Sequence, residues 1–172
     1  MAVTRSLFRT VSYQTQQPDE IMKRINDSLS EMNENLLFVT FFVGILDLKS
    51  GVLRYCNAGH EAPIIIHKTA EPLSVNQILP IGLMEDTDYV TETVVIEPQT
   101  TILLFTDGLD EAMDADNLQF GEKRIFNELN DAIQSGELSP KAVIERMTQA
   151  VHNYVGDTEQ SDDLTMLCLR FK

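Results

Sequence analysis

The chain has 172 residues, of which 43% are hydrophobic, and it carries 13 basic and 27 acidic side chains. This length and apolar content predict one folded domain with its own core and exclude a disordered chain. A net charge of −14 argues against binding to nucleic acid or to an anionic membrane surface, because both require clustered Lys and Arg. It is compatible with a divalent cation site or with a basic protein partner.

The two cysteines, Cys56 and Cys168, lie in strand-like runs and belong to no Cys-x-x-Cys pair, so a structural zinc site is not expected. Two free thiols suit a reducing compartment, and we therefore expect a cytoplasmic protein, although the sequence leaves a disulfide between them open. No stretch approaches the roughly 18 apolar residues of a membrane span, so none is expected.

Two helices are predicted first. Residues 2–13 are amphipathic, with Val3, Leu7, Phe8 and Val11 on one face. This pattern reaches the first residue with no capping signal before it, which is unusual for a helix in an intact domain. Pro18 occupies a typical first helical position. The second helix ends near residues 33–35, and its buried stripe comprises Ile21, Ile25, Leu29 and Met32.

Strands and then further helices follow. Apolar or alternating segments predict strands at residues 37–48, 52–57, 64–67, 90–96, 101–106 and 164–170. The first two form a hairpin signal with Gly51 in the loop. Residues 122–133 have helical periodicity, and Ser139-Pro140 is a start signal for a last helix. This order of helices, strands, helices and strand indicates an α+β fold.

Carboxylates concentrate around the strand at 101–106. Residues 85–116 contain ten carboxylates and no Lys or Arg. Asp107 directly follows the strand, where an ionised carboxylate is costly unless something compensates it. A hard cation such as Mg²⁺ or Mn²⁺ is one compensator, and Gly108 would leave room beside it. The alternative is that Asp107 only caps a turn or the following helix.

A second acidic point precedes the last strand, at Asp162 and Asp163. If this strand runs antiparallel beside residues 101–106, the end of one strand and the start of the other lie at the same sheet edge. Asp107 and Asp162 would then converge on one cation. Adjacent aspartates at a strand start are otherwise usually solvated turn residues.

The loop Asn57-Ala58-Gly59-His60 lies between two predicted strands. Its small residues would let a ligand approach the backbone, and His60 would bind phosphate or protonate a leaving group. The alternative is a loop histidine with a structural hydrogen bond, and the residues alone do not decide between the two.

Taken together, these segments resemble SpoIIE-type phosphatase domains, which are bacterial members of the metal-dependent (type 2C) serine/threonine phosphatase superfamily. The resemblance extends over nearly the whole chain. It is carried by Phe38-Val39-Thr40, Gly44-Ile45-Leu46-Asp47-Leu48, Leu53-Arg54-Tyr55-Cys56-Asn57-Ala58-Gly59-His60 with Pro63, Leu79-Pro80-Ile81-Gly82-Leu83, Phe105-Thr106-Asp107-Gly108-Leu109 and Asp162-Asp163-Leu164-Thr165. Each motif is weak alone, but their shared order and spacing are specific.

The resemblance implies a two-sheet antiparallel β-sandwich flanked by helices, with a two-metal site at one edge of the sheets. It implies hydrolysis of phosphoserine or phosphothreonine by a metal-activated water, with Mn²⁺ or Mg²⁺ as cofactor. The usual substrates of such domains are phosphorylated STAS-type (anti-anti-sigma) regulatory proteins, so a role in bacterial signalling and sigma-factor regulation is expected.

Individual residues can be matched to this pattern. Asp107 and Asp162 match metal ligands and would be catalytic through the bound metal, while Asp110 and Asp163 are further ligand candidates. Asp110 coincides with an acid that serves an additional metal in eukaryotic relatives. Candidates for substrate binding are Asn57, Gly59, His60 and Gly108.

The sequence also departs from the family pattern. The Gly-Asp-x-x-Asp strand and the Gly-Asp-x-x-Gly loop that begin such domains do not occur. We therefore expect residues 1–172 to be the C-terminal two-thirds of a single SpoIIE-type domain, truncated at the N-terminus, weak in metal binding and inactive alone. A homodimer through residues 2–13 or an open sheet edge is expected, with residues 2–13 packed on a second copy or poorly ordered. The alternatives are a non-catalytic pseudophosphatase or fragment acting as an interaction module and, less favoured, another metal-dependent hydrolase.

Overall fold

The computed structural model describes residues 2–31, 33, 37–158 and 162–172, so Met32 and the predicted helix end at positions 34–35 lie outside the described residues. Four helices and seven strands are described. They are α1 (Ala2–Ser12), α2 (Pro18–Ser30), β1 (Phe41–Leu46), β2 (Val52–Ala58), β3 (Ile64–Ile66), β4 (Ala70–Pro72), β5 (Glu92–Val95), β6 (Thr101–Phe105), α3 (Gly121–Ser135), α4 (Pro140–Val155) and β7 (Met166–Arg170).

These elements confirm the predicted α+β order, with two differences. β1 begins only at Phe41, because the residues before it contribute a single bridge from Val39 to Ile81 instead of a strand. β4 is not predicted by the sequence, since its three residues, Ala70-Glu71-Pro72, lack the β-branched and aromatic character by which a strand is recognised. Pairing with β3 makes this segment a strand.

The elements fall into two compact units, each with one antiparallel sheet. The first unit comprises Met1–His60 and Ser74–Ile96, and its sheet has the order β1-β2-β5. The second comprises Glu61–Leu73 and Glu97–Lys172, with the sheet order β4-β3-β6-β7. Helices α1 and α2 belong to the first unit, and α3 and α4 to the second. The predicted architecture of two antiparallel sheets with flanking helices is thus confirmed.

Helix α1 packs on its own chain. Val11 is buried, and the ring of Phe8 meets that of Phe41 edge to face at 5.6 Å between centroids. The predicted apolar face needs a correction at its start, because Val3 is 59% exposed and Thr4, at 5%, takes its place in the interior. Helix α1 therefore has packing partners within its own unit, and its packing on a second copy stays a prediction.

A buried asparagine ties α2 to the loop before β5. Asn26 is fully buried; its Nδ2 donates to the carbonyl of Met84 at 2.9 Å, and its Oδ1 accepts from the amide of Gly82 at 2.9 Å. Gly82 has φ +86°, a backbone conformation that side chains disfavour. A buried amide whose donor and acceptor are both satisfied stabilises this loop, whereas an unpaired one would be costly.

The second unit has the larger apolar core. It lies where α3 and α4 cover the sheet, and its fully buried members include Leu103, Leu109, Ile125, Leu129 and Met147. The predicted start of α4 is confirmed, since Ser139 Oγ accepts from the amide of Ala142 at 3.3 Å.

Two expectations about the chain as a whole can be compared with the structure. Cys56 and Cys168 are free thiols, so a disulfide does not join them. In the part of the chain that the structure describes, no helix has both the length and the apolar character needed to cross a bilayer.

The Asn26 contacts lead to a prediction about stability. Changing Asn26 to Ala leaves the Gly82 amide and the Met84 carbonyl without their partner, and we expect it to lower the free energy of unfolding by about 2–4 kcal/mol. Urea denaturation measures this change. The exposed neighbour Asp27, changed to Ala on the same helix, serves as the control and should stay within about 0.5 kcal/mol of wild type. Equal effects of the two changes would contradict the importance of the Asn26 contacts.

Candidate functional site

The last strand of the second unit, β7, runs antiparallel to β6, which meets the condition under which Asp107 and Asp162 were expected at one sheet edge. Phe105 at the end of β6 is opposite Met166 at the start of β7. The pairing continues one step further, because the amide of Thr106 donates to the carbonyl of Thr165 at 3.1 Å. Residues 106–110 and 162–165, which we call the acid edge, therefore lie at the same edge of the sheet. Ser161, which precedes them, lies outside the described residues.

The two principal candidate ligands lie on the acid edge, each with its carboxylate turned toward the next peptide. Asp107 Oδ1 accepts from the amide of Gly108 at 3.1 Å, and Asp162 Oδ1 accepts from the amide of Asp163 at 2.7 Å. These are turn contacts of the kind expected under the alternative interpretation. They orient the two side chains, and the role of either as a metal ligand stays a prediction.

Asp110 differs from these exposed acids because it is half-buried. Its Oδ1 is buried and has no hydrogen-bond partner among the described residues. Burial, as the largest cause, and the negative charges of Glu61, Glu111 and Asp107 together raise the pKa of this carboxyl to about 6. A bound proton or a nearby cation would lower the free-energy cost of burying the charge of Asp110.

Glu61 is an acid that the sequence interpretation missed. It belongs to the second unit, and its charge acts on Asp110. It directly follows His60, so its place after the predicted loop was the signal available in the sequence. Residues 61 and 110 are 49 positions apart in the chain, so the sequence does not show that the charge of Glu61 acts on Asp110.

These residues fit one side of a divalent cation site. Carboxylate oxygens are the donors that Mg²⁺ and Mn²⁺ prefer, and the buried oxygen of Asp110 lacks a partner in the described structure. However, within residues 2–31, 33, 37–158 and 162–172 no group of three or more His, Cys, Asp or Glu side chains is arranged to hold a metal. The described residues could therefore supply only part of a ligand set, and their role as metal ligands stays a prediction.

Gly108 is in close contact with the other half of the acid edge. A Cβ added at this glycine would lie 2.5 Å from the carbonyl oxygen of Asp163, which is closer than atoms can approach. The space that the sequence interpretation left for a metal or phosphate is thus taken by protein on this side. The absence of a side chain at position 108 has a packing reason, and binding of substrate by Gly108 stays a prediction.

The predicted phosphate-binding loop is in the first unit. Asn57 is 4% exposed, and its side chain accepts from the amide of His60 at 3.2 Å and donates to the carbonyl of His60 at 2.9 Å. Gly59 has φ +70°, and a Cβ there would lie 2.8 Å from Pro80 Cγ. Asn57 and Gly59 therefore fix the shape of this loop, and substrate binding by them and by His60 stays a prediction.

Comparison with known proteins identifies the class of fold. The SiaA-PP2C domain of Pseudomonas aeruginosa superimposes with a TM-score of 0.82, at 22% identity over 99% of this chain and 68% of that one. RsbX in complex with magnesium matches with a TM-score of 0.65, at 18% identity over 97% of this chain and 70% of that one. These likenesses show a fold of the PP2C phosphatase type.

The sequence comparison identifies the family. The profile of Stage II sporulation protein E (SpoIIE) matches residues 1–172, and the chain belongs to this family. Protein IcfG of Synechocystis sp. (strain ATCC 27184 / PCC 6803 / Kazusa) is 26% identical over 147 residues, which make up 84% of this chain. The match spans 22% of the length of that protein.

The raised pKa of Asp110 predicts a pH dependence of stability. The folded state holds the proton up to about pH 6, whereas the ordinary pKa of an aspartate is 3.8. Folded protein thus binds more protons in this interval, and its stability falls as pH rises from about 4 to about 6. In metal-free buffer, Asp110→Asn should remove this fall and be more stable than wild type at pH 7.

Unfolding curves at pH 4 and pH 7 measure this effect. The control is Asp131→Asn on the exposed face of α3, which should keep the pH dependence of wild type. Parallel pH profiles for wild type and Asp110→Asn would show that the fold does not disfavour the charge on Asp110.

Proposed function

We propose that this chain carries the catalytic acids of a metal-dependent protein serine/threonine phosphatase. The observation that supports this most is the antiparallel pairing of β6 with β7, which places the Asp107 turn beside the Asp162-Asp163 turn. Membership of the SpoIIE family and the PP2C type of fold support the same reaction class. The substrate would be a phosphoserine or phosphothreonine side chain.

In this proposal, Asp107 and Asp162 hold Mn²⁺ or Mg²⁺, with Asp110 and Asp163 as further candidates. RsbX, which shares the fold, has been solved with magnesium. Such an ion, when bound, lowers the pKa of a coordinated water so that it can attack phosphorus. The protein supplies the two carboxylates, and the backbone amides of Gly108 and Asp163 orient them through hydrogen bonds.

The ligand set proposed here needs additional donors. Because no group of three suitable side chains occurs among the described residues, the remaining ligands would come from other segments of the natural polypeptide. We therefore propose that residues 1–172 form the C-terminal two-thirds of the phosphatase domain and bind the ion weakly when isolated.

The proposed substrate is a phosphorylated STAS-type regulatory protein in a bacterial signalling circuit in the cytoplasm. Support comes from the family resemblance and from the net charge of −14, which disfavours nucleic acid and anionic membranes as partners. The loop residues Asn57, Gly59 and His60, with Gly108, are the proposed contacts to the phosphorylated side chain. Self-association through α1 or an open sheet edge is a further proposal.

A second candidate function is a non-catalytic interaction module. The absence of a complete metal-binding group within the described residues favours it. It differs from the first in requiring no hydrolysis by any form of the protein, so an activity measurement separates the two.

Activity measurements on the natural full-length protein test the proposed reaction. We expect Mn²⁺- or Mg²⁺-dependent release of phosphate from a phosphoserine protein. Asp107→Asn removes one ligand charge, and we expect it to lower kcat by about 100-fold or more. Asp116→Asn is the matched control, since it removes an exposed charge from the same acid-rich stretch, and it should retain the wild-type rate.

Near-normal turnover by Asp107→Asn, or turnover that survives complete chelation of metal, would exclude this mechanism. Full-length protein that shows no hydrolysis with either ion would favour the interaction module.

A further inference from the structure

We propose that Thr106 is a positioning residue, whose hydroxyl fixes the distance between the Asp107 turn and the Asp162-Asp163 turn. The contacts of Thr106 belong to the fold of the acid edge, and their consequence for catalysis rests on the proposed function. Thr106 is the first residue after β6 and contributes no carboxylate. Its side chain nevertheless contacts the backbone of the opposite turn twice.

The contacts of Thr106 go beyond what strand pairing requires. Its backbone amide donates to the Thr165 carbonyl at 3.1 Å, which continues the ladder of β6 and β7. In addition, its Oγ1 donates to the carbonyl of Asp163 at 3.3 Å and accepts from the amide of Thr165 at 3.4 Å. One hydroxyl therefore bridges the residues on either side of Leu164, so it holds the shape of the opposite turn as well as its distance.

Gly108 meets the same carbonyl from the other side of Asp107. The Asp163 carbonyl oxygen lies where a Cβ of residue 108 would project, 2.5 Å from that position. Thr106 and Gly108 thus both contact Asp163, one through a hydrogen bond and the other through close approach of backbone. We call Thr106, Gly108 and Asp163 the latch.

The latch is connected directly to both candidate ligands. The amide of Gly108 donates to the carboxylate of Asp107, and the amide of Asp163 donates to the carboxylate of Asp162. The two residues that touch across the acid edge are therefore the same two that orient the carboxylates. A change in the contact between Gly108 and Asp163 would move both carboxylates relative to each other.

The long distances of the Thr106 hydroxyl bonds limit their contribution to stability. Bonds of 3.3 and 3.4 Å at a partly exposed site hold a turn in place without carrying the fold. We therefore expect loss of the hydroxyl to affect the geometry of the acid edge more than overall unfolding. A positioning role predicts a change at the acid edge with little change in the free energy of unfolding, whereas a purely structural role predicts a loss of stability.

The test compares Thr106→Val, which keeps the shape and loses the hydroxyl, with Thr106→Ser, which keeps the hydroxyl. Thr148→Val on the exposed face of α4 is the control for loss of a threonine hydroxyl elsewhere. All variants are made in the natural full-length protein. The first readout is amide hydrogen exchange of residues 162–165 without metal, and the second is the Mn²⁺ concentration that gives half-maximal phosphatase activity.

In Thr106→Val we expect exchange at residues 162–165 to be about 2- to 10-fold faster, the effect of one lost hydrogen bond. We expect the half-maximal Mn²⁺ concentration to rise about 10- to 100-fold, as is usual when a group that orients a ligand is removed. Thr106→Ser and the Thr148 control should match wild type in both readouts.

Wild-type exchange in Thr106→Val would overturn the proposal, and so would equal losses in Thr106→Ser and Thr106→Val. If wild-type protein shows neither hydrolysis nor a response to Mn²⁺, the proposed function fails, but hydrogen exchange still decides whether the latch exists. Faster exchange with an unchanged Mn²⁺ requirement would show that the latch does not position a metal ligand, which also overturns the inference.

Discussion

The pairing of β6 with β7 is the constraint on which the candidate site depends. Antiparallel strands place the end of one beside the start of the other, so the turns that carry Asp107 and Asp162 lie side by side although 54 residues separate the two aspartates in the chain. The two turns begin directly at the paired strand ends, because Phe105 is opposite Met166 and the amide of Thr106 bonds to the carbonyl of Thr165. Leu103 and Phe105 of β6 are buried in the same apolar cluster as side chains of α3 and α4, which holds the strand against these helices.

Charge is the second constraint on the acid edge. Burial of the Asp110 carboxyl, together with repulsion from Glu61, Glu111 and Asp107, raises its pKa to about 6. If the charge of Asp110 had no function, replacing this residue with an uncharged one would stabilise the protein. A cation bound at the acid edge would offset this repulsion, which is the physical reason for the proposed metal site.

Sequence patterns predicted most of the fold because long periodic segments determine helices such as α4 and apolar runs determine strands such as β6. They missed β4, whose residues have no intrinsic strand character, and placed Val3 in the interior where Thr4 lies. For the candidate site, the sequence predicted that Asp107 and Asp162 lie at one sheet edge, and the pairing of β6 with β7 confirms this. It gave no sign of Glu61, because Glu61 and Asp110 come close only in the folded chain. The contact of Gly108 with Asp163 could not be predicted either, because a glycine in the sequence does not indicate which atoms lie beside it in the fold.

The central claim is that the two turns of the acid edge bind one cation, and paramagnetic broadening by Mn²⁺ in NMR spectra of the chain tests it most directly. Broadening requires only weak, transient binding, so an incomplete ligand set does not prevent the measurement. The account predicts that amides of residues 107–110 and 162–165 broaden first and at the same Mn²⁺ concentration, and that Mg²⁺ reverses this. Broadening of one turn without the other, or first broadening at acids elsewhere, such as Glu128 and Glu145 of the second unit, would contradict a shared site.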